Sequence, residues 1–169
     1  MSAEIRLRPM TPEMYHAFFR QYTNDPELYL DKTAFAEYTY SEERVNAYIQ
    51  RQTDKKRITL AIMLGEEIVG GLKLYDIIPG QSATLGITMK NDRFKNKGYG
   101  TRAEQLAAEY VFRQLRIPTL RADTVLTNTR SQHVLEKVGF RFLYEDEQKK
   151  YYILTAPTGS RITCASLPT

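Results

Sequence analysis

The stretch Lys95-Asn96-Lys97-Gly98-Tyr99-Gly100 separates two regular patterns in the chain. Before it, Leu85, Ile87 and Met89 alternate with small or polar residues, which predicts a strand. After it, apolar residues recur at helical spacing as far as Leu115, which predicts a helix. A strand, a glycine loop and a helix in this order can bind an anion, because the first amides of a helix lack internal partners and face its positive dipole end.

The helix that follows the loop is predicted to be amphipathic. Its apolar face is formed by Ala103, Leu106, Ala107, Tyr110, Val111 and Leu115. Its polar face is formed by Arg102, Glu104, Gln105, Glu109 and Arg113. We therefore expect the first set to face the core and the second set to face solvent, with Pro118 ending the helix.

The rest of the chain reads as strands and helices in the overall order β α α β β β α β α β β. Thr11 and Ser41 are predicted helix N-caps, and Gly139 is a predicted left-handed C-terminal cap. The pair Gly70-Gly71 predicts a bulge or a close approach within a strand. One helix between two strands implies a parallel crossover, so the fold is predicted to be α/β (α+β) with a mixed sheet.

The bulk composition fits one ordinary globular domain. The chain has 169 residues, 42% hydrophobic and 26% charged, so we expect one domain over residues 1–155 and a loose tail over residues 156–169. No apolar run approaches the roughly 20 residues needed to span a bilayer, and the N-terminus does not resemble a secretory signal. The expectation is a cytoplasmic protein with no membrane partner.

Charge and metal-ligating residues exclude two further classes of function. The net charge is +4, and a local basic cluster is formed by Lys90, Arg93, Lys95, Lys97 and Arg102. That cluster suits a small polyphosphate and is too small for a duplex, so no nucleic-acid partner is expected. One cysteine, Cys164, and two histidines, His16 and His133, cannot form a zinc cluster, so no metal is expected.

Taken alone, Gly98-Tyr99-Gly100 has three interpretations. The glycines could serve only the geometry of the turn. They also fit the dinucleotide-binding pattern Gly-x-Gly-x-x-Gly/Ala through Ala103, with Asp123 near the distance expected of a ribose-binding acid. Against that pattern, residues 90–97 separate the strand from the first glycine, and a second set of βαβ units is missing. The third interpretation depends on a second motif.

That second motif is Asn128-Thr129-Arg130-Ser131 followed by Glu136-Lys137-Val138-Gly139-Phe140. Together with the glycine loop it resembles the GNAT superfamily of N-acetyltransferases. The loop resembles that family's Gln/Arg-x-x-Gly-x-Gly/Ala motif, with Lys95 at the Gln/Arg position. The second motif resembles the Rim-type branch, which acetylates ribosomal proteins. The resemblance implies a mixed, mostly antiparallel sheet of about seven strands flanked by about four helices, and acetyl-CoA as the co-substrate.

The resemblance also implies a role for each matching position. The pantetheine arm of acetyl-CoA is expected on Ile87, Thr88 and Met89, and to meet Asn128. The pyrophosphate is expected on Lys95, Asn96, Lys97, Gly98, Tyr99, Gly100 and Thr101. The backbone N–H of Met89 is the expected donor to the oxyanion, and Ser131 is the expected residue near the thiol.

Two departures from the family leave the proton-transfer residues open. Many relatives carry a general-acid Tyr where this chain has Leu135, and a Glu near the position of Thr84. Possible bases are Tyr75, Asp76, Asp123 and Glu37, and His133 is a weak contact candidate beside Ser131. A non-catalytic CoA-binding module is therefore an alternative to an enzyme, and a nicotinamide-dependent enzyme is a less favoured one.

The acceptor is expected to be a primary amine, either a protein N-terminus or a small molecule. Residues 23–40 are rich in acids and Tyr and lie where the family builds its acceptor wall. Carboxylates beside aromatic faces suit a cationic amine. The chain is expected to be a monomer or a homodimer.

Overall fold

The computed structural model describes residues 4–158. Alternating apolar residues build one seven-stranded sheet in this part of the chain. Its strands are arranged in the order β1-β2-β3-β4-β5-β7-β6. The strands are β1 (Ile5–Pro9), β2 (Ile58–Leu64), β3 (Glu67–Ile78), β4 (Ser82–Met89), β5 (Thr119–Val125), β6 (Arg141–Glu145) and β7 (Lys149–Thr155). The helices are α1 (Pro12–Gln21), α2 (Glu42–Asp54), α3 (Tyr99–Glu109) and α4 (Thr129–Val138). The predicted order of elements and the α/β class are confirmed.

One strand pair gives the sheet its mixed character. β4 and β5 pair in parallel, and the chain crosses between them through α3, whereas the other neighbouring strands pair antiparallel. A π-helical turn, Tyr110–Gln114, extends α3. Arg116 then takes a left-handed backbone with φ of 54°, so the helical backbone stops before Pro118 is reached.

The helices cover opposite faces of the sheet. Leu72 and Leu74 of β3 share the main core with Ala103 and Ala107 of α3. Because side chains alternate along a strand, Lys73 lies on the other face, where α1 packs on β3 and against α2. The cofactor side and the α1–α2 side are therefore separated by the sheet.

The predicted caps and the glycine pair are confirmed. The Thr11 side chain accepts a hydrogen bond from the Met14 amide at 3.2 Å. The C-terminal cap of α4, Gly139, has φ of 111°. β3 carries an irregularity beside Gly70, and a Cβ on Gly70 would lie 2.9 Å from the Thr88 carbonyl oxygen, so only glycine permits this approach of β3 to β4.

Glu104 is the exception to the predicted polar face of α3. Arg102, Glu109 and Arg113 are exposed as expected, but Glu104 is only 1% exposed. Its neighbours on the helix surface, four residues before and three and four residues after, are Gly100, Ala107 and Ala108. These small side chains let α3 pack closely enough to enclose the carboxyl group.

A backbone hydrogen bond extends the pairing of β5 and β7 beyond the end of β7. β7 ends at Thr155, and the Ala156 amide donates to the Pro118 carbonyl at 2.8 Å. Residues 159–169, which include Cys164, lie outside the described residues, so the domain bounds and the loose tail stay predictions. Within residues 4–158, no helix combines the length and the apolar character that a membrane span needs.

Candidate functional site

The parallel strands β4 and β5 separate part-way along their length. Their pairing ends at Leu85 and Ala122, yet β4 continues to Met89 and β5 continues to Val125. The last residues of both strands therefore border a gap in the middle of the sheet. Backbone groups that face this gap have no strand partner there and can bind an extended ligand.

The hydrogen-bond alternation of the β3–β4 ladder decides which groups face the gap. The Lys90 amide donates to the Val69 carbonyl at 2.8 Å, just beyond the paired residues Met89 and Gly70. Directly opposed residues of antiparallel strands alternate between bonded and non-bonded pairs, so Met89 and Ile87 turn their N–H groups away from β3 and toward the gap. The backbone of Thr88, between them, faces β3.

The loop after β4 presents unpartnered amides. Asn96 and Gly98 take left-handed backbones, with φ of 59° and 79°. Within residues 4–158, no backbone amide of residues 96–101 donates a hydrogen bond, and the first to do so is that of Arg102, to the Gly98 carbonyl at 3.1 Å. A Cβ on Gly98 would meet no atom within 4 Å, so the space beside Gly98 is open. An open cluster of amides at a helix N-terminus fits a pyrophosphate.

Lys95 holds the loop in place with its side chain. Its Nζ lies 2.9 Å from Asp25 Oδ2 and 2.8 Å from Asp92 Oδ1, and its side chain is only 10% exposed. Arg130 of α4 lies 3.8 Å from the same Asp25 oxygen. Burial raises the pKa of Asp25, but the hydrogen bonds from Lys95 and from the Glu27 amide outweigh it, so the pKa is lowered overall. The positive charge of Lys95 is therefore largely matched within the chain, whereas Lys97 is exposed.

Two adjoining cavities, of about 280 Å³ and about 120 Å³, occupy the gap. Both are lined by Leu28, Ile87, Thr88, Glu104, Asn128 and Ser131. The smaller cavity extends toward Lys95 and Gly100, on the cofactor side of the sheet. The larger cavity extends to Lys73 and Asp123, whose side chains lie on the opposite face. The gap thus joins the anion-binding loop to a separate polar cavity.

The polar cavity centres on the carboxylate of Asp123. Lys149 Nζ lies 2.6 Å from Asp123 Oδ1, and the Tyr75 hydroxyl donates to Asp123 Oδ2 at 3.3 Å. Burial and the Asp123 carboxylate raise the pKa of Tyr75. Lys73 also lines this cavity and forms no ion pair within residues 4–158. Burial and the repulsion of Arg57 lower its pKa.

The structure brings together most of the residues singled out from the sequence. Ile87, Thr88, Asn128 and Ser131 line both cavities, and Met89 lines the smaller one. The predicted pyrophosphate residues outside the cavities form the loop and the start of α3; they are Asn96, Lys97, Gly98, Tyr99 and Thr101. Among the residues considered for proton transfer or for contact beside Ser131, Glu37, Asp76, Thr84 and His133 line neither cavity.

Asn128 also has a structural role. Its Oδ1 accepts a hydrogen bond from the Ser131 amide at 3.2 Å and so caps α4. The cap aims the first turn of α4 at the gap. Leu135, one turn further along α4, lines the larger cavity and supplies no hydroxyl there.

Residues 23–40 were expected to form the acceptor wall with their acidic side chains, but the structure gives these acids other positions. Asp25 and Leu28 line the cleft, but Asp25 is paired with Lys95 and Arg130, and Glu37 lies outside both cavities. The acids of this segment therefore do not form an anionic wall around the polar cavity.

Three residues of the site were missed in the sequence: Glu104, Lys73 and Lys149. Lys73 and Lys149 belong to strands distant in sequence from the motifs, and only the sheet register brings them to Asp123. The burial of Glu104 could have been predicted locally, because its neighbours on the surface of α3 are small residues that allow close packing. Within residues 4–158, no group of three or more His, Cys, Asp or Glu side chains is arranged to hold a metal ion.

Residues 4–141 match the acetyltransferase (GNAT) domain family. This chain belongs to the GNAT family of acetyltransferases. The separated end of β4 and the loop after it, residues 95–101, are the elements on which the resemblance to this family predicted acetyl-CoA to bind. The Rim-type branch stays a prediction.

Two curated relatives come from Bacillus subtilis (strain 168). The probable N-acetyltransferase YjcK is 30% identical over 101 residues, which cover 58% of this chain and 56% of YjcK. The uncharacterized N-acetyltransferase YnaD is 24% identical over 123 residues, which cover 72% of this chain and 70% of YnaD. The match thus spans little more than half the length of YjcK.

A solved structure supports the fold. The spermidine N-acetyltransferase from Vibrio cholerae, in complex with CoA and spermine, superposes with a TM-score of 0.71 at 16% identity. The match covers 89% of this chain and 95% of that one. At this identity the likeness shows the shared GNAT fold.

Proposed function

We propose that this GNAT protein transfers an acetyl group from acetyl-CoA to a primary amine by direct attack. The observation that carries the proposal is the gap between β4 and β5, which has backbone N–H groups of Ile87 and Met89 on its edge and the amide loop at one end. The loop amides of residues 96–101 suit the pyrophosphate, and the edge of β4 suits the pantetheine arm. Bound there, acetyl-CoA supplies an activated acetyl group as a thioester.

The larger cavity is the proposed site of the acceptor. An amine must lose its proton to attack, and a carboxylate within hydrogen-bond distance can accept that proton directly or through water. Of the four acids and phenols considered from the sequence, Asp123 and Tyr75 line this cavity. Tyr75 and Lys149 hold the Asp123 carboxylate in position, so we assign the base role to Asp123.

The chain would assist the chemical step at three points. Asp123 takes up the proton of the amine as the new N–C bond forms. The Met89 N–H donates to the carbonyl oxygen as negative charge develops on it. Ser131 lies beside the sulfur, whose bond to the acetyl carbon breaks as the thiol leaves.

Charge in the larger cavity bears on the class of acceptor. Within residues 4–158 Lys73 forms no ion pair, and its Nζ lies 5.6 Å from the centre of the Tyr75 ring. Arg57 lies close enough to lower the pKa of Lys73, and Lys149 already matches the Asp123 carboxylate. A polycation would be repelled by this arrangement. We therefore propose an acceptor that carries a carboxylate or phosphate near its amine, either as a small molecule or at a protein N-terminus.

A thiol-release assay tests the proposal. Purified protein is given acetyl-CoA and a panel of amines, namely amino acids, phosphorylated amines, polyamines and N-terminal peptides, with mass spectrometry of the products. Turnover with any amine supports an acetyltransferase. Stabilisation by acetyl-CoA without turnover would instead favour the non-catalytic CoA-binding module, for which Leu135 and Thr84 are the motivation. Stabilisation by NAD alone would favour a nicotinamide enzyme, although the single parallel strand pair does not suit that fold.

A further inference from the structure

Glu104 is a buried carboxyl group that lacks a partner. The residue is 1% exposed, and within residues 4–158 its Oε2 is the buried side-chain polar atom that has no hydrogen-bond partner. A buried polar group without a hydrogen bond destabilises the fold, so such a group calls for an explanation. Gly100, Ala107 and Ala108 on the same helix show that small apolar residues suit this surface.

The position of Glu104 links it to the reacting end of the cleft. It lies one turn into α3 and lines both cavities, together with Ile87 and Ser131. The thioester must reach the acceptor cavity past these shared residues. The Glu104 side chain, with its unpartnered Oε2, is therefore at the passage between the cofactor side and the acceptor side.

The chemistry of this passage includes a proton for the sulfur. A thiolate leaves as the acetyl group is transferred, and Leu135 provides no hydroxyl to protonate it. We propose that Glu104 is the general acid that protonates the departing thiolate. This inference rests on the proposed acetyl transfer.

The step balances in atoms and electrons. The amine lone pair forms the N–C bond, and the C–S bond breaks with its electron pair remaining on sulfur. The Glu104 carboxyl O–H gives its proton to sulfur, while Asp123 takes the surplus proton of the new amide nitrogen. After the thiol departs, Asp123 releases its proton to solvent and Glu104 regains one through the cavity.

The protonation state of Glu104 suits this role. Burial raises the pKa of Glu104 to about 8, so the carboxyl group holds its proton at neutral pH. A thiol has a pKa near roughly 8.5, so proton transfer between the two is close to balanced. The charged and titratable side chains that line the cavities around Glu104 from other elements are Tyr22, Asp25, Lys73, Tyr75, Lys95, Asp123, Arg130 and Lys149.

The test compares Glu104→Gln with Glu109→Gln, an exposed control on the same helix. Single-turnover thiol release is measured from pH 6 to pH 10, and acetyl-CoA affinity by calorimetry. Wild type is expected to lose rate as the pH rises through the pKa of the acid. Glu104→Gln is expected to react about a hundredfold more slowly, without that basic limb, while it binds acetyl-CoA as wild type does. Glu109→Gln should match wild type in all three respects.

A second readout does not depend on turnover. Infrared difference spectra of the wild-type protein should show a protonated carboxyl band at pH 7 that is lost as the pH rises past about 8 and that is absent from Glu104→Gln. Absence of the band at pH 7 would overturn the proposal even if the variant failed to fold.

The remaining outcomes separate the two proposals. If wild type turns over and Glu104→Gln keeps its rate and pH profile, the general acid is another group and acetyl transfer stands. A variant that loses acetyl-CoA affinity at an unchanged single-turnover rate would make Glu104 a binding residue and overturn the inference. If wild type acetylates no amine, both proposals fail together.

Discussion

Lys95 Nζ lies 2.9 Å from Asp25 Oδ2, so the anion-binding loop is tied to the segment that follows α1. A second tie lies close by, because the Thr23 amide donates to the Lys90 carbonyl at 3.0 Å and Lys90 Nζ donates to Gln21 Oε1 at 2.8 Å. The end of β4 and the loop after it are therefore fixed from the α1 side. A loop held in this way keeps its amides arranged for an anion before the ligand arrives.

Asp25→Asn should destabilise the protein more than Asp92→Asn. Asp25 is 19% exposed, whereas Asp92 is 89% exposed. Loss of the Asp25 charge would leave the buried Lys95 ammonium with Asp92 as its remaining ion-pair partner, and that partner is exposed. We expect a loss of about 1–3 kcal/mol for the first and below about 1 kcal/mol for the second, from urea unfolding at pH 7. The folded pKa of Asp25 is lowered, so its contribution is present above its ordinary pKa and is lost as pH falls through the folded value. Equal losses of unfolding free energy in the two variants would show that the Lys95–Asp25 ion pair does not fix the loop.

Gly100→Leu should remove acetyl-CoA binding without unfolding the protein. A Cβ at this position would lie 3.8 Å from Ile87 Cδ1, an ordinary contact, so Gly100→Ala should fold normally. The longer Leu side chain would fill the space before the amides. Differential scanning fluorimetry should show an acetyl-CoA shift in wild type and none in Gly100→Leu. Lys97→Ala, which removes an exposed charge and leaves the amides open, should keep a reduced shift; an undiminished shift in Gly100→Leu would mean that the pyrophosphate binds elsewhere.

The sequence predicted the cofactor side of the cleft better than the acceptor side. The loop and the caps could be predicted because each depends on a few adjacent residues, such as Thr11 and Gly139. Lys73 and Lys149 could not, because their proximity to Asp123 depends on strand registers across β3, β5 and β7. Glu104 was predicted to face solvent because its side chain is charged, although the small residues beside it on α3 favour close packing there.

Asp123→Asn should slow acetyl transfer while acetyl-CoA binding is retained. Asn can still interact with Tyr75 and Lys149 but cannot take up a proton, so we expect a decrease of about a hundredfold in kcat/KM. The control is Asp76→Asn, because Asp76 is exposed and lines neither cavity. Thiol release with the best acceptor of the panel measures the rate. A wild-type rate in Asp123→Asn would assign the base elsewhere.

Lys73→Met should change the preference among acceptors. The Lys73 ammonium lines the acceptor cavity and has no ion-pair partner within residues 4–158, so its removal should raise KM for amines that carry a carboxylate or phosphate and leave KM for neutral amines unchanged. Lys55→Met is the matched control, because Lys55 is an exposed cation near Lys73 that lines neither cavity. A preference of wild type for polyamines over anionic amines would contradict the proposed acceptor class.

Glu104→Gln should become increasingly more stable than wild type as the pH rises from 5 to 8. In the unfolded chain the pKa of a Glu is about 4.3, whereas burial raises the pKa of folded Glu104 to about 8. Between these values the folded state binds one proton more than the unfolded state, so wild-type stability falls with pH by at most about 1.4 kcal/mol per unit. The neutral amide of Gln has no such dependence. The urea midpoint of Glu104→Gln should therefore diverge from the midpoints of wild type and of the exposed control Glu109→Gln from pH 5, and the difference should level off above about pH 8. Parallel curves for wild type and Glu104→Gln would show that Glu104 is already ionised in the folded protein, and would remove the proton that the proposed acid must donate.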